Sequence, residues 1–290
     1  MLRPYSATVT VDEVGSDIIA GVADYATMAD RTSRLTMRAR ILKLIDRLKL
    51  DPKPLHVREV HEEELRDNVG IRGALILHLD LSSRSAITSS ELIFTASTGR
   101  VLVAEHPDLP GFPVGLTLLL PSAKLPTGRR DLFMQAGKGW GASPYVIQYA
   151  IATNPGSLGA GRALQNAAKA ATDASSTLVA YAPLTGLRAR IIQIVDDPAT
   201  WSVVASGFTE SDASSLQRQL TDLLAHDSLP DFLDEPALSF LKAEARAFAE
   251  QPGYRVGEFH RHMGAKLVGI DNGGDPSESD SMWARVYLQY

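Results

Sequence analysis

The sequence predicts an α/β chain, a mixed β-sheet flanked by helices and preceded by a short helical appendage. From about residue 72 onward, short β-rich runs alternate with amphipathic helical stretches. Residues 11 to 50 carry apolar side chains at helix spacing, and the pattern stops at Asp51-Pro52-Lys53-Pro54. A glycine-rich loop joins a strand to a helix near residue 156, the arrangement of an anion seat.

The first helical stretch places Ile18, Ile19, Val22, Tyr25 and Met28 on one face, and the second does the same with Leu35, Ile41, Leu44, Ile45 and Leu48. Residues 1–57 are therefore read as a helical appendage and 58–290 as the main domain. His61-Glu62-Glu63-Glu64-Leu65 resembles the start of a zinc-protease helix but lacks the second histidine, so a solvated acidic helix face is expected and no metal site. Strands are expected at 74–79, 101–105, 114–120, 145–152 and 177–181, and helices at 158–171, 212–225 and 235–250. The closing segment reads as 266–270, a turn-rich acidic loop at 271–281 without calcium-loop spacing, and a final strand within 282–290.

Hydrophobic residues make up 44% of the chain and charged residues 22%, ordinary globular usage. The absence of cysteine excludes disulfides, thiolate zinc sites and cysteine nucleophiles. With 34 acidic against 29 basic residues, the net charge of −5 gives no overall attraction to nucleic acid. The first residues lack the apolar core of a signal peptide, and no apolar run reaches the roughly 20 residues of a membrane helix. A cytoplasmic protein without membrane partners is expected.

The glycine loop runs Asn154-Pro155-Gly156-Ser157-Leu158-Gly159-Ala160-Gly161-Arg162. Glycine lets the backbone approach a ligand, the helix-start amides favour negative charge, and Arg162 can add a charged contact. Gly156 to Arg162 is thus the candidate pyrophosphate site. A tight strand-to-helix turn with glycine for packing reads the same residues equally well. No acidic residue ends a following strand as a dinucleotide site requires, and the Gly-Lys-Ser/Thr of a triphosphate loop is missing.

Several separated stretches together resemble malonyl-CoA decarboxylases. His106-Pro107-Asp108-Leu109-Pro110-Gly111-Phe112-Pro113 is similar to that family's H-P-x-L-P-x-E-P. Tyr149-Ala150-Ile151-Ala152 and the loop after it are similar to Y-S-I-S and its glycine loop, and Ala182-Pro183-Leu184-Thr185-Gly186-Leu187 stands where the family has S-P-I-P-G-F. Phe259-His260-Arg261-His262-Met263-Gly264-Ala265 resembles F-H-L-x-N-G-A, and Ile270-Asp271-Asn272-Gly273-Gly274-Asp275-Pro276-Ser277 resembles I-N-W-x-A-D-x-S. The order and spacing hold over roughly residues 58 to 290.

The resemblance implies an acetyltransferase (GNAT)-like fold in which Gly156-x-x-Gly159-x-Gly161 holds the CoA pyrophosphate. It also implies decarboxylation of malonyl-CoA to acetyl-CoA and carbon dioxide with no cofactor beyond the thioester substrate itself. His260 matches the family's proton donor, and its ordinary pKa of about 6.5 suits that task. The family serine that positions the malonyl carboxylate is Ala182 here, so the hydroxyl has to come from Thr185, Tyr287 or Tyr181. The carrier is free CoA or an acyl carrier protein. The family's longer helical domain is reduced here to about 55 residues, which leaves a homo-oligomer open. Two other readings fit the same residues: an acyl-CoA-dependent acyltransferase with His260 as base, and a non-catalytic acyl-CoA-binding protein, which Ala182 would explain.

Overall fold

The computed structural model describes residues 11–28, 30–48, 53–82, 88–136, 140, 143–153, 159–225, 233–271 and 279–290. The chain forms two compact units, residues 1–124 with 135–178 and residues 125–134 with 179–290.

In the first unit, α1 (Val11–Thr27) and α2 (Arg31–Leu48) are the expected helical pair. Ile18, Val22, Tyr25, Ile41 and Leu44 are buried, whereas Leu35 is exposed. Four antiparallel strands follow the order β1 (His56–Val60), β2 (Arg100–Glu105), β3 (Pro113–Ser122), β4 (Tyr145–Thr153). The acidic run is α3 (Glu62–Asp67), the helix face expected, with Glu62 paired to Arg66 and Glu64 held by the fork of Arg58. Arg58 also reaches Glu105, tying β1 to its neighbour β2.

The expected strand at 74–79 is instead the middle of a helix, α4 (Val69–Ser82). Asn68 starts it, its side-chain oxygen accepting the Ile71 N–H at 3.0 Å, the N-cap arrangement. Ala74 to Leu79 is buried on every side, with α1 on one flank and β3 and β4 on another. A short run that is apolar all round has no periodicity to separate helix from strand, and tertiary burial decides. After it, α5 (Ser89–Thr98) opens with a capping box between Thr88 and Glu91.

His78 of α4 is fully buried. A carbonyl only accepts, so Nε2 carries the proton it donates to the Pro113 oxygen at 2.6 Å, while Nδ1 has no hydrogen-bond partner among the described residues. Burial pushes its pKa down to about 4 from an ordinary 6.5. The native state therefore resists a proton that the unfolded chain accepts. This contribution to stability is complete above pH 6.5 and is lost as the pH falls toward 4, at about 1.4 kcal/mol per pH unit. Urea denaturation at pH 7.5 and 5 should show the loss, and His78→Gln should flatten it; an equal slope in both proteins would contradict the assignment.

Every residue of β3 is buried. A Cβ at Gly115 would lie 2.9 Å from the Ala152 carbonyl and 3.2 Å from Leu164 Cδ1, so glycine lets β3 pack close beneath α7 (Ala160–Ala171), the helix that follows β4.

The second unit takes in α6 (Arg129–Ala136) as far as Met134 and orders its strands β5 (Thr177–Pro183, from Val179 on), β7 (Arg285–Gln289), β6 (Lys266–Asp271), all antiparallel. It also holds α8 (Leu187–Asp196), α9 (Pro198–Ala205), α10 (Glu210–Ala225), α11 (Glu235–Glu250) and α12 (Arg255–His262). Ala180, Ala182, Val286 and Leu288 share a core with Ile191, Leu220 and Leu241 of the helices. The alternate residues Tyr181, Arg285 and Tyr287 turn to the opposite face of the strands. Of the expected loop at 271–281, residues 272–278 lie outside the described residues, and Ser279–Ser281 is a single 3-10 turn.

Candidate active site

In the first unit, β4 leads toward Gly159, the N-cap of α7. Gly159 has φ +88°, a left-handed conformation glycine adopts without penalty, and a Cβ there would meet nothing within 4 Å. No side chain among the described residues caps the helix. The first bond back to Gly159 comes from the Ala163 N–H at 3.0 Å, which leaves the amides of Ala160, Gly161 and Arg162 without intrahelical acceptors. Ala160 is buried and anchors the turn, while Arg162 is exposed with no ion pair among the described residues. Gly156, Ser157 and Leu158 lie outside the described residues.

In the second unit, His260 sits on the last turn of α12, 1% exposed. The residues after it close the helix. Ala265 N–H bonds to the His260 carbonyl and Gly264 N–H to that of Arg261, both at 2.9 Å, with Gly264 at φ +92°. That is a Schellman cap, and it explains Met263-Gly264-Ala265 structurally. Upstream, Gly257 is required because a Cβ would fall 2.5 Å from the Tyr254 ring.

The Phe259 ring lies edge-on to the imidazole at 5.1 Å between centroids, and Nδ1 of His260 is hydrogen-bonded to the Tyr290 hydroxyl. Nε2 makes no hydrogen bond among the described residues. Burial pushes the His260 pKa down to about 4. The ring is therefore neutral at pH 7, its pKa held below the ordinary imidazole value of 6.5. Burial also raises the Tyr290 phenol, which stays protonated.

Ala182 lies on β5, and its neighbours offer hydroxyls unequally. Tyr181 donates to Asp271 Oδ2 at 2.8 Å, and Tyr287 donates to the Pro126 carbonyl. Their rings stack at 5.1 Å, with the Arg285 guanidinium 4.7 Å over Tyr181. Both phenols are thus engaged on the face opposite Ala182. Thr185 is exposed in the turn before α8, whose N-cap Gly186 has φ +96°. His260 makes no hydrogen bond to Thr185 or Tyr287.

The segment from Pro183 to Leu187 is held firmly. Tyr254 donates to the Pro183 carbonyl at 2.9 Å and Leu184 N–H to the Ala284 carbonyl at 3.0 Å. Ala284 closes a tight turn onto Ser281 whose central residues, Met282 (φ 50°) and Trp283 (φ 56°), are both left-handed. Bulky residues in that conformation cost on the order of 1 kcal/mol each, and such strain gathers at functional sites.

No group of three or more potential metal ligands occurs among the described residues, and no helix among them is long and apolar enough to cross a membrane.

Among solved structures, malonyl-CoA decarboxylase from Rhodopseudomonas palustris matches 97% of this chain and 69% of its own, with a TM-score of 0.60 at 15% identity. The Agrobacterium vitis enzyme matches 98% of this chain and 85% of its own, with the same TM-score and identity. This chain has the malonyl-CoA decarboxylase fold. The Cupriavidus metallidurans decarboxylase is a further match, over 94% of this chain and 70% of its own, with a TM-score of 0.52 at 14% identity. No protein-family model and no curated protein matches the sequence.

Within this decarboxylase fold, sequence reasoning missed Tyr290 and the strained turn at Met282-Trp283. A tyrosine-rich closing strand was visible, but which tyrosine meets His260 depends on the packing of α12. The turn lacks the Asn-Gly signal that normally marks its type.

Proposed function

We propose that this chain decarboxylates malonyl-CoA, or a related malonyl thioester, to acetyl-CoA and carbon dioxide without a metal or other cofactor. The observation that carries the reading is the match of nearly the whole chain to the fold of malonyl-CoA decarboxylases. The residues supply fitting chemistry. Gly156 to Arg162 takes the CoA pyrophosphate on the uncapped amides of α7 and the exposed Arg162. Loss of carbon dioxide leaves the bonding electron pair on the thioester enolate, and Nε2 of His260 gives its proton to the enolate carbon. Thr185 is the better replacement for the hydroxyl missing at Ala182, because the Tyr287 phenol already serves the Pro126 carbonyl. The acyl carrier is CoA or an acyl carrier protein.

A second reading, non-catalytic acyl-CoA binding, is favoured by Ala182 alone. Purified protein given malonyl-CoA should release carbon dioxide and acetyl-CoA in equal amounts. Calorimetric CoA binding without release selects the second reading, and failure of both removes the CoA assignment.

A further inference from the structure

We propose that Tyr290 is the positioning residue of His260, donating its hydroxyl proton to Nδ1 and so fixing the tautomer that carries hydrogen on Nε2. The inference rests on the decarboxylase reading only for its catalytic consequence; the pairing itself stands on the geometry of the second unit. Nδ1 of His260 is hydrogen-bonded to the Tyr290 hydroxyl, and the imidazole is closed in by the edge of Phe259. A neutral imidazole holds one proton on one of its two nitrogens, and its partner selects which. If Nδ1 accepts from the phenol, Nε2 is the N–H.

The tautomer matters because a ring that is neutral at working pH has no second proton to give. An imidazole protonated only on Nδ1 presents a lone pair at Nε2 and serves as a base. The same ring protonated on Nε2 serves as an acid. Tyr290 therefore decides between proton donation and proton abstraction at one histidine, the difference between quenching an enolate and activating an acyl acceptor.

The proton balance closes. The bond between Cα and the carboxylate breaks, carbon dioxide leaves, and the electron pair passes to the enolate. Cα takes the proton of Nε2 as Nδ1 takes the phenolic proton of Tyr290. Nε2 then takes a proton from water, and Nδ1 returns the phenolic proton to the tyrosinate. The net reaction consumes one solvent proton per carbon dioxide and leaves both residues as they began.

Two measurements test this. In protein labelled with ¹⁵N-histidine, long-range ¹⁵N–¹H spectra separate the tautomers, and His260→Gln assigns the His260 ring among the seven histidines. At pH 7.5 the wild-type ring should carry its proton on Nε2, and Tyr290→Phe, which keeps the packed ring, should give a mixture of tautomers. In the malonyl-CoA assay, the same variant should lose roughly tenfold or more in kcat with little change in KM.

A wild-type His260 protonated on Nδ1 overturns the proposal, as does a Tyr290→Phe protein with unchanged tautomer and kcat. The wild-type spectrum needs no variant, so a misfolded Tyr290→Phe protein does not shield the claim. A wild-type ring protonated on Nε2, with that preference lost in Tyr290→Phe and no release of carbon dioxide by either protein, supports the pairing and removes the decarboxylase reading.

Discussion

Replacing His260 with alanine should lower carbon dioxide release from malonyl-CoA by roughly 10²- to 10⁴-fold while leaving CoA affinity within a fewfold of wild type. The rate effect is the usual worth of a positioned general acid. Affinity should persist because the residues assigned to the pyrophosphate, Gly156 to Arg162, belong to a different element from α12. The substitution opens a small buried space beside Phe259 and removes the partner of Tyr290, so His260→Gln is the companion variant that retains most of the volume. Steady-state kinetics and calorimetric CoA titration of both variants are the measurements. Activity within a fewfold of wild type in both would exclude His260 as the acid and direct attention to another proton source.

A second large effect is expected at Gly99, where α5 ends. A Cβ there would lie 2.1 Å from the Leu119 carbonyl oxygen and 3.1 Å from its carbon. Backbone atoms in the middle of the fully buried β3 cannot swing aside as a flexible side chain can. Gly99→Ala should therefore destabilise the protein by more than about 4 kcal/mol, in the range reserved for disruption of a packed core. Gly207→Ala is the control, since its Cβ would make only an ordinary 3.5 Å contact with the Val204 carbonyl, and a change near 0.5 kcal/mol or less is expected. Urea denaturation of the three proteins decides. A Gly99→Ala midpoint close to wild type would mean that α5 does not approach β3 as described.

The two effects differ in how visible they are beforehand. His260 stands in a recognisable string, F-H-R-H-M-G-A, and the string itself has a local cause. Its glycine caps α12, and such caps are written in adjacent residues. Gly99 has no such mark, because what forbids a side chain there is an oxygen 20 positions away in sequence.

Local signals were sufficient for most of the elements. Runs rich in β-forming residues marked β2 to β5, and helix spacing marked α1, α2, α7, α10 and α11, because the helical period is a consequence of backbone geometry alone. The acidic face of α3 and the glycine at the start of α7 were legible for the same reason. Burial and pairing between distant residues were not. Ala74 to Leu79 became helix because tertiary burial on every side overrode strand-like composition. The His260 pKa fell because a packed environment withholds water from the charged ring, and no neighbouring residue in the sequence announces that. The engagement of Tyr287 by Pro126, and of His260 by Tyr290, joins residues 161 and 30 positions apart. Residue type and spacing specify which side chains are able to do the chemistry. Which hydroxyl meets which nitrogen is decided only when strands and helices pack, because a hydrogen bond depends on placement to within a fraction of an ångström.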